Sequence, residues 1–148
     1  MSTFEDRAEI RELIERFHDA LNHRNFDAIG ALFADDGVWE VAEPFSIRFE
    51  GRANLVGGIA ESVGRLEFLF QSCAPIVVEL DTATTARART SMQEFGRLED
   101  GSPMRVVGTY FDALRKERGT WRFSHRVFRA RYADAAPLSG RLFDGAAR

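Results

Sequence analysis

The 148-residue chain is 45% hydrophobic and 29% charged, with 13 Phe against two Trp and two Tyr. That length fits one domain burying about 70% of its unfolded surface, and the composition excludes collagenous, disordered and disulfide-framework proteins. A net charge of −3 gives no general positive field for nucleic acid, and the single cysteine, Cys73, allows neither an internal disulfide nor a Cys-x-x-Cys zinc motif. The Phe excess is ring-rich, apolar material for a core, a pocket or both.

The first residues are charged and lack an apolar signal core, no apolar stretch approaches membrane-spanning length, and a cytoplasmic location is expected. Thr3 or Ser2 caps a predicted helix over about 4–21, whose apolar stripe is Ile10, Leu13, Ile14, Phe17 and Leu21. A second helix is predicted over 26–33, ended by an Asp35-Asp36-Gly37 turn, then a short strand over 38–41. A third helix is predicted over 52–63, weakened by Gly57 and Gly58. From Glu67 the period becomes two. Pro75 makes 68–80 a strand pair or a bulged strand, and 84–98 reads as a long strand with Arg87 and Arg89 on one face and Ala86, Ala88, Thr90 and Met92 on the other. A turn over 99–103 leads to a strand over 104–115, a second turn, and a last strand over 120–132. Helices followed by a meander of long strands predict an α+β fold, a strongly bent sheet wrapped on the first helix with a cavity between them. Residues 1–132 are expected to form the domain. Residues 133–148 are expected to form an irregular tail that Leu138, Leu142 and Phe143 can anchor.

Standard catalytic motifs are absent, and the three histidines form no metal-ligand pattern, so neither metal nor cofactor is expected. Asp35 and Asp36 sit where local turn bonding favours aspartate. His18 borders the helical stripe with Asn22 one turn on, which makes a surface edge or a ligand-orienting pair. Val106, Gly108, Tyr110 and Asp112 share one strand face. There a phenol and a carboxylate can serve an oxygen atom, or Asp112 can simply pair with an arginine. In the last strand Trp121, Phe123, His125, Val127, Arg129 and Arg131 alternate with Arg122, Ser124, Arg126, Phe128, Ala130 and Tyr132, and neither face is cleanly apolar.

Residues 10–41, the Phe49-Glu-Gly-Arg52 run before a helix, and residues 108–123 with Arg126 resemble SnoaL-like, nuclear-transport-factor-2-like domains. The resemblance spans about 8–132 and implies a cone-like α+β barrel, three N-terminal helices packed in a curved, mostly antiparallel sheet. The superfamily holds ketosteroid isomerase, scytalone dehydratase, dehydrochlorinase and polyketide cyclase relatives alongside non-catalytic binders, so it implies a fold more sharply than a reaction. Carried over by position, it implies a pocket for a small cyclic hydrophobic molecule lined by Phe17, Asn22, Trp39, Leu69, Gln71, Val106, Gly108 and Phe128. Tyr110, Asp112, Arg126 and His18 become the candidate catalytic residues of a cofactor-independent cyclase, dehydratase or isomerase. The Asp–His base of the dehydratase branch falls on Asn22 and Gln71, amides without the basicity for that role. A non-catalytic ligand-binding or interaction module is the alternative. A homodimer or homotrimer is expected, with no nucleic-acid or membrane partner.

Overall fold

A computed structural model describes residues 3–145. Three helices, α1 (Thr3–Asn22), α2 (Phe26–Ala31) and α3 (Arg52–Gly64), pack on one six-stranded sheet of β1 (Phe33–Val41), β2 (Ile47–Glu50), β3 (Leu66–Leu80), β4 (Thr85–Leu98), β5 (Pro103–Glu117) and β6 (Thr120–Asp134). The spatial order is β2-β1-β6-β5-β4-β3. All neighbours are antiparallel except β1 and β6, which run parallel. The curved sheet stays open, with β2 and β3 as its edges.

The stripe predicted on α1 is the stripe it buries: Ile10, Leu13, Ile14, Phe17 and Leu21 all enter the core. Asp6 in its first turn accepts hydrogen bonds from Trp121 Nε1 at 2.8 Å and Lys116 Nζ at 3.0 Å. These bonds hold the Asp6 carboxyl below its usual range and pin the helix to the β5–β6 hairpin. Asn25 caps α2 by accepting from the Ala28 N–H.

Four local readings change. The second helix stops at Ala31, and Phe33 begins β1 instead of ending the helix. The Asp35-Asp36-Gly37 segment lies within β1 as an irregularity: Phe33 pairs with Phe123, yet Val38 already pairs with His125, so the intervening residues bulge from the ladder. Asp35 and Asp36 there meet Arg52 and Arg115, a structural use of both carboxylates. β2 is not legible in the sequence, because four residues are too few to establish a period of two. Of the two readings of 68–80, the bulged strand is the one observed, with Ala74 and Pro75 dropping out of the pairing between Cys73 and Ile76. The last strand runs on to Asp134, and beyond it Arg97 holds the chain by donating to the carbonyls of Leu138 at 2.7 Å and Gly140 at 2.9 Å.

β6 explains its own mixed pattern. Leu114 pairs with Phe123 and Ala113 with His125, which leaves Ser124 as an extra residue. The bulge exchanges the faces, so Trp121 and Phe123 point inward before it and Arg126 and Phe128 after it.

Candidate functional site

Inside the curved sheet lies a cavity of about 400 Å³. Its wall includes Leu21 of α1, Ile59 and Val63 of α3, Trp39 and Val41 of β1, Leu69 and Gln71 of β3, Met92 and Glu94 of β4, Val106 and Tyr110 of β5, and Phe128 of β6. Of the predicted positions, Trp39, Leu69, Gln71, Val106, Tyr110 and Phe128 line it. Phe17, Asn22, Gly108, His18, Asp112 and Arg126 do not. Phe17 is fully buried in the core behind Tyr110, with ring centroids 5.9 Å apart. A Cβ on Gly108 would meet the Arg129 carbonyl at 2.3 Å and the Phe128 ring at 2.7 Å, so glycine lets Phe128 close against the β5 backbone.

His18, Asp112 and Arg126 form a sealed polar cluster beneath the cavity floor. Arg126 is fully buried and donates from Nε to Asp112 Oδ1 at 3.0 Å. Its guanidinium lies between aromatic rings, 3.9 Å from the Tyr110 centroid, 4.3 Å from Phe17 and 4.7 Å from Phe123. Burial pushes the Asp112 carboxyl up to about 6, and the adjacent guanidinium restrains the rise. Both readings of Asp112 are therefore realised in part: it points inward and it pairs with an arginine, although cavity and carboxylate do not meet.

The hydrogen bonds of His18 have a determined direction. Arg126 Nη2 lies 3.2 Å from His18 Nε2, and an arginine only donates, so Nε2 accepts. Nδ1 then carries the proton and donates to Gln71 Oε1 at 2.7 Å. Burial, reinforced by the Arg126 charge, depresses His18 to about 3 and keeps the ring neutral. With Gln71 Oε1 thus occupied, its Nε2 faces Glu94 and donates to Oε2. Asn22 completes the arrangement, donating to the Gln71 carbonyl at 2.9 Å and accepting from its N–H at 2.8 Å. At the positions of the expected Asp–His base, the Asn22 side chain clamps the Gln71 backbone while the Gln71 side chain bridges His18 and Glu94.

At the cavity wall, Trp39 Nε1 donates to the Tyr110 hydroxyl oxygen at 3.2 Å, and Phe49 of β2 stacks on Trp39 at 5.9 Å. Burial raises the Tyr110 phenol above its ordinary range, so its proton stays in place as a donor. Glu94 is the carboxylate absent from the sequence-based set. Burial raises its pKa, against the Gln71 hydrogen bond that lowers it. Its signal was legible: the inward face of Ala86, Ala88, Thr90 and Met92 reaches Glu94 one step later.

Residues 2–127 match the SnoaL-like domain family. The chain is a SnoaL-like domain protein. Among solved structures, it resembles a type 2 hexachlorocyclohexane dehydrochlorinase (LinA) with a TM-score of 0.81 at 19% identity, covering 95% of this chain and 93% of that one. The LinA-type3 dehydrochlorinase from Novosphingobium barchaimii LL02 gives 0.81 at 20% identity, covering 95% and 94%. A putative scytalone dehydratase from Novosphingobium aromaticivorans gives 0.79 at 20%, covering 98% and 97%. At these identities the likeness is one of fold. By sequence, no curated protein matches the chain. The SnoaL-like cone, three helices on a curved mixed sheet, is thus the shared architecture.

Proposed function

We propose that this SnoaL-like domain binds a small, ring-shaped apolar molecule in its inner cavity and acts on it as a cofactor-independent lyase or isomerase. The reading rests chiefly on one observation, a cavity of about 400 Å³ walled by apolar and aromatic side chains with few polar groups, Tyr110 among them. Tyr110 is the proposed catalytic donor, giving its hydroxyl proton as a hydrogen bond to a substrate oxygen while Trp39 supports the phenol oxygen. His18, Arg126 and Asp112 are proposed as positioning residues that hold Tyr110 and Gln71 from below. The dehydrochlorinases and the putative scytalone dehydratase of similar fold lend the reaction class plausibility by analogy.

The test uses 1-tetralone as a probe. Saturable quenching of Trp39 fluorescence is expected, together with catalysed exchange of the probe's α-hydrogens in deuterium oxide, followed by NMR, solvent deuteroxide taking the α-proton while the Tyr110 hydroxyl stabilises the enolate oxygen. Tyr110→Phe is expected to slow exchange about 100-fold, the usual effect of losing one such donor, with binding largely kept. If ring probes of this size leave Trp39 undisturbed, the cavity reading fails. The amide clamp of Asn22 and Gln71 favours a second reading, a carrier without chemistry; saturable binding without exchange or elimination would select it.

A further inference from the structure

Glu94 is an ionisable side chain set into an apolar wall, and a carboxylate there is costly unless it has a purpose or a partner. Among the described residues its hydrogen-bond partner is Gln71 Nε2, which engages Oε2. The orientation of that amide is imposed from the core. Arg126 must donate to His18, His18 must donate to Gln71 Oε1, and Gln71 must present its N–H to Glu94. Three buried side chains thereby hold one carboxylate oxygen and leave the other free to accept. On the same lining, Tyr110 offers a hydroxyl proton. We propose that Glu94 is the hydrogen-bond-accepting anchor of the cavity, and that the bound molecule is a small ring compound bearing a phenol- or enol-type hydroxyl. The proposal rests on the cavity reading above and adds the chemical class of the ligand.

Among the ionisable groups near Glu94, Asp112, raised to about 6 by burial, is the one that titrates in the same range, and it lies behind Arg126 outside the cavity lining. From β3, Gln71 is uncharged; from β5 come Tyr110, whose phenol stays protonated, and Arg105, which pairs with Asp134 of β6. Arg65 at the end of α3 pairs with Glu61, and His18 of α1, behind Gln71, is neutral. Burial raises the Glu94 pKa, so the accepting form is present above that raised value and is lost as pH falls through it.

Equilibrium dialysis of 2-naphthol against naphthalene, two rings of one size differing by a hydroxyl, provides the test. At about pH 8 the naphthol is expected to bind about tenfold tighter, about 1.4 kcal/mol. Glu94→Gln presents an amide N–H in place of the free oxygen and should reduce that preference to about twofold, with naphthalene binding unchanged as proof of an intact cavity. In the wild type the preference should decline on acidification towards about pH 4, while naphthalene binding stays flat. Equal binding of both probes by the wild type, or a preference that survives Glu94→Gln or acidification, overturns the role of Glu94 and leaves the cavity reading standing. Binding of neither probe overturns both. If the variant does not fold, a preference that stays constant across the wild-type pH series still overturns the role of Glu94.

Discussion

Arg126 shows how one buried charge organises its surroundings. Its cost of desolvation is offset by an ion pair with Asp112, a hydrogen bond to His18 and three ring faces. The Phe excess therefore has a function beyond volume: Phe17 and Phe123 help hold a guanidinium, and Phe33 packs behind both at 6.2 and 5.1 Å. Among the described residues Asp112 Oδ2 and Arg126 Nη1 have no hydrogen-bond partners, so the pair is already incompletely satisfied. Arg126→Met leaves Asp112 buried and alone, and a loss of about 3–5 kcal/mol in urea unfolding is expected. Arg126→Met with Asp112→Leu should recover most of that loss, because the uncompensated carboxylate is gone. A double variant as unstable as the single one would show that the ring packing, rather than the charge balance, carries the effect.

Individual elements owe their shape to single residues that break a period. Ser124 is the extra residue that turns Arg126 and Phe128 inward, and the skipped Ala74 and Pro75 bend β3 in the same manner. In α3 the adjacent glycines have opposite meanings. A Cβ on Gly58 would lie 2.4 Å from the Phe49 ring, so this glycine admits the ring that stacks on Trp39. Gly57 faces solvent with nothing within 4 Å. Gly57→Ala should therefore stabilise the protein by about 0.5–1 kcal/mol through helix propensity, whereas Gly58→Ala should cost about 1–3 kcal/mol through overpacking. Thermal unfolding of the two variants gives both signs directly.

At the scale of the molecule, the open sheet has two unlike faces. The inner one holds the core and the cavity. The outer one exposes Phe70, Val107, Phe111 and Tyr132, with Val107 opposite Tyr132 and Phe111 opposite Val127 across β5 and β6. We propose that two or three copies associate through this outer face, since a cluster of exposed rings on a sheet favours cover. Light scattering is expected to give a dimer or trimer mass, and Phe111→Glu to reduce it to the monomer mass. A wild-type monomer at all concentrations would rule the association out. No helix among the described residues is long and apolar enough to cross a membrane.

Read alone, the sequence carries the α1 stripe, the order of helices before strands, the long β4–β5–β6 meander and, through its resemblance, the SnoaL-like fold. These are local periodicities and turn residues, written in neighbouring positions. It also put Tyr110 on an inward face, because alternation within one regular strand needs no knowledge of the partner. The short β2, the end of α2 at Ala31 and the bulge at Ser124 required the structure, since each depends on pairing between distant segments. The same holds for the site. That His18 is sealed rather than at a surface edge, that the Asn22 side chain clamps the Gln71 backbone, and that Gln71 turns its amide towards Glu94 follow from α1, β3, β4 and β6 meeting in space. Hydrogen-bond direction is fixed by the whole buried network, beginning at an arginine that can only donate, and no single segment carries that information.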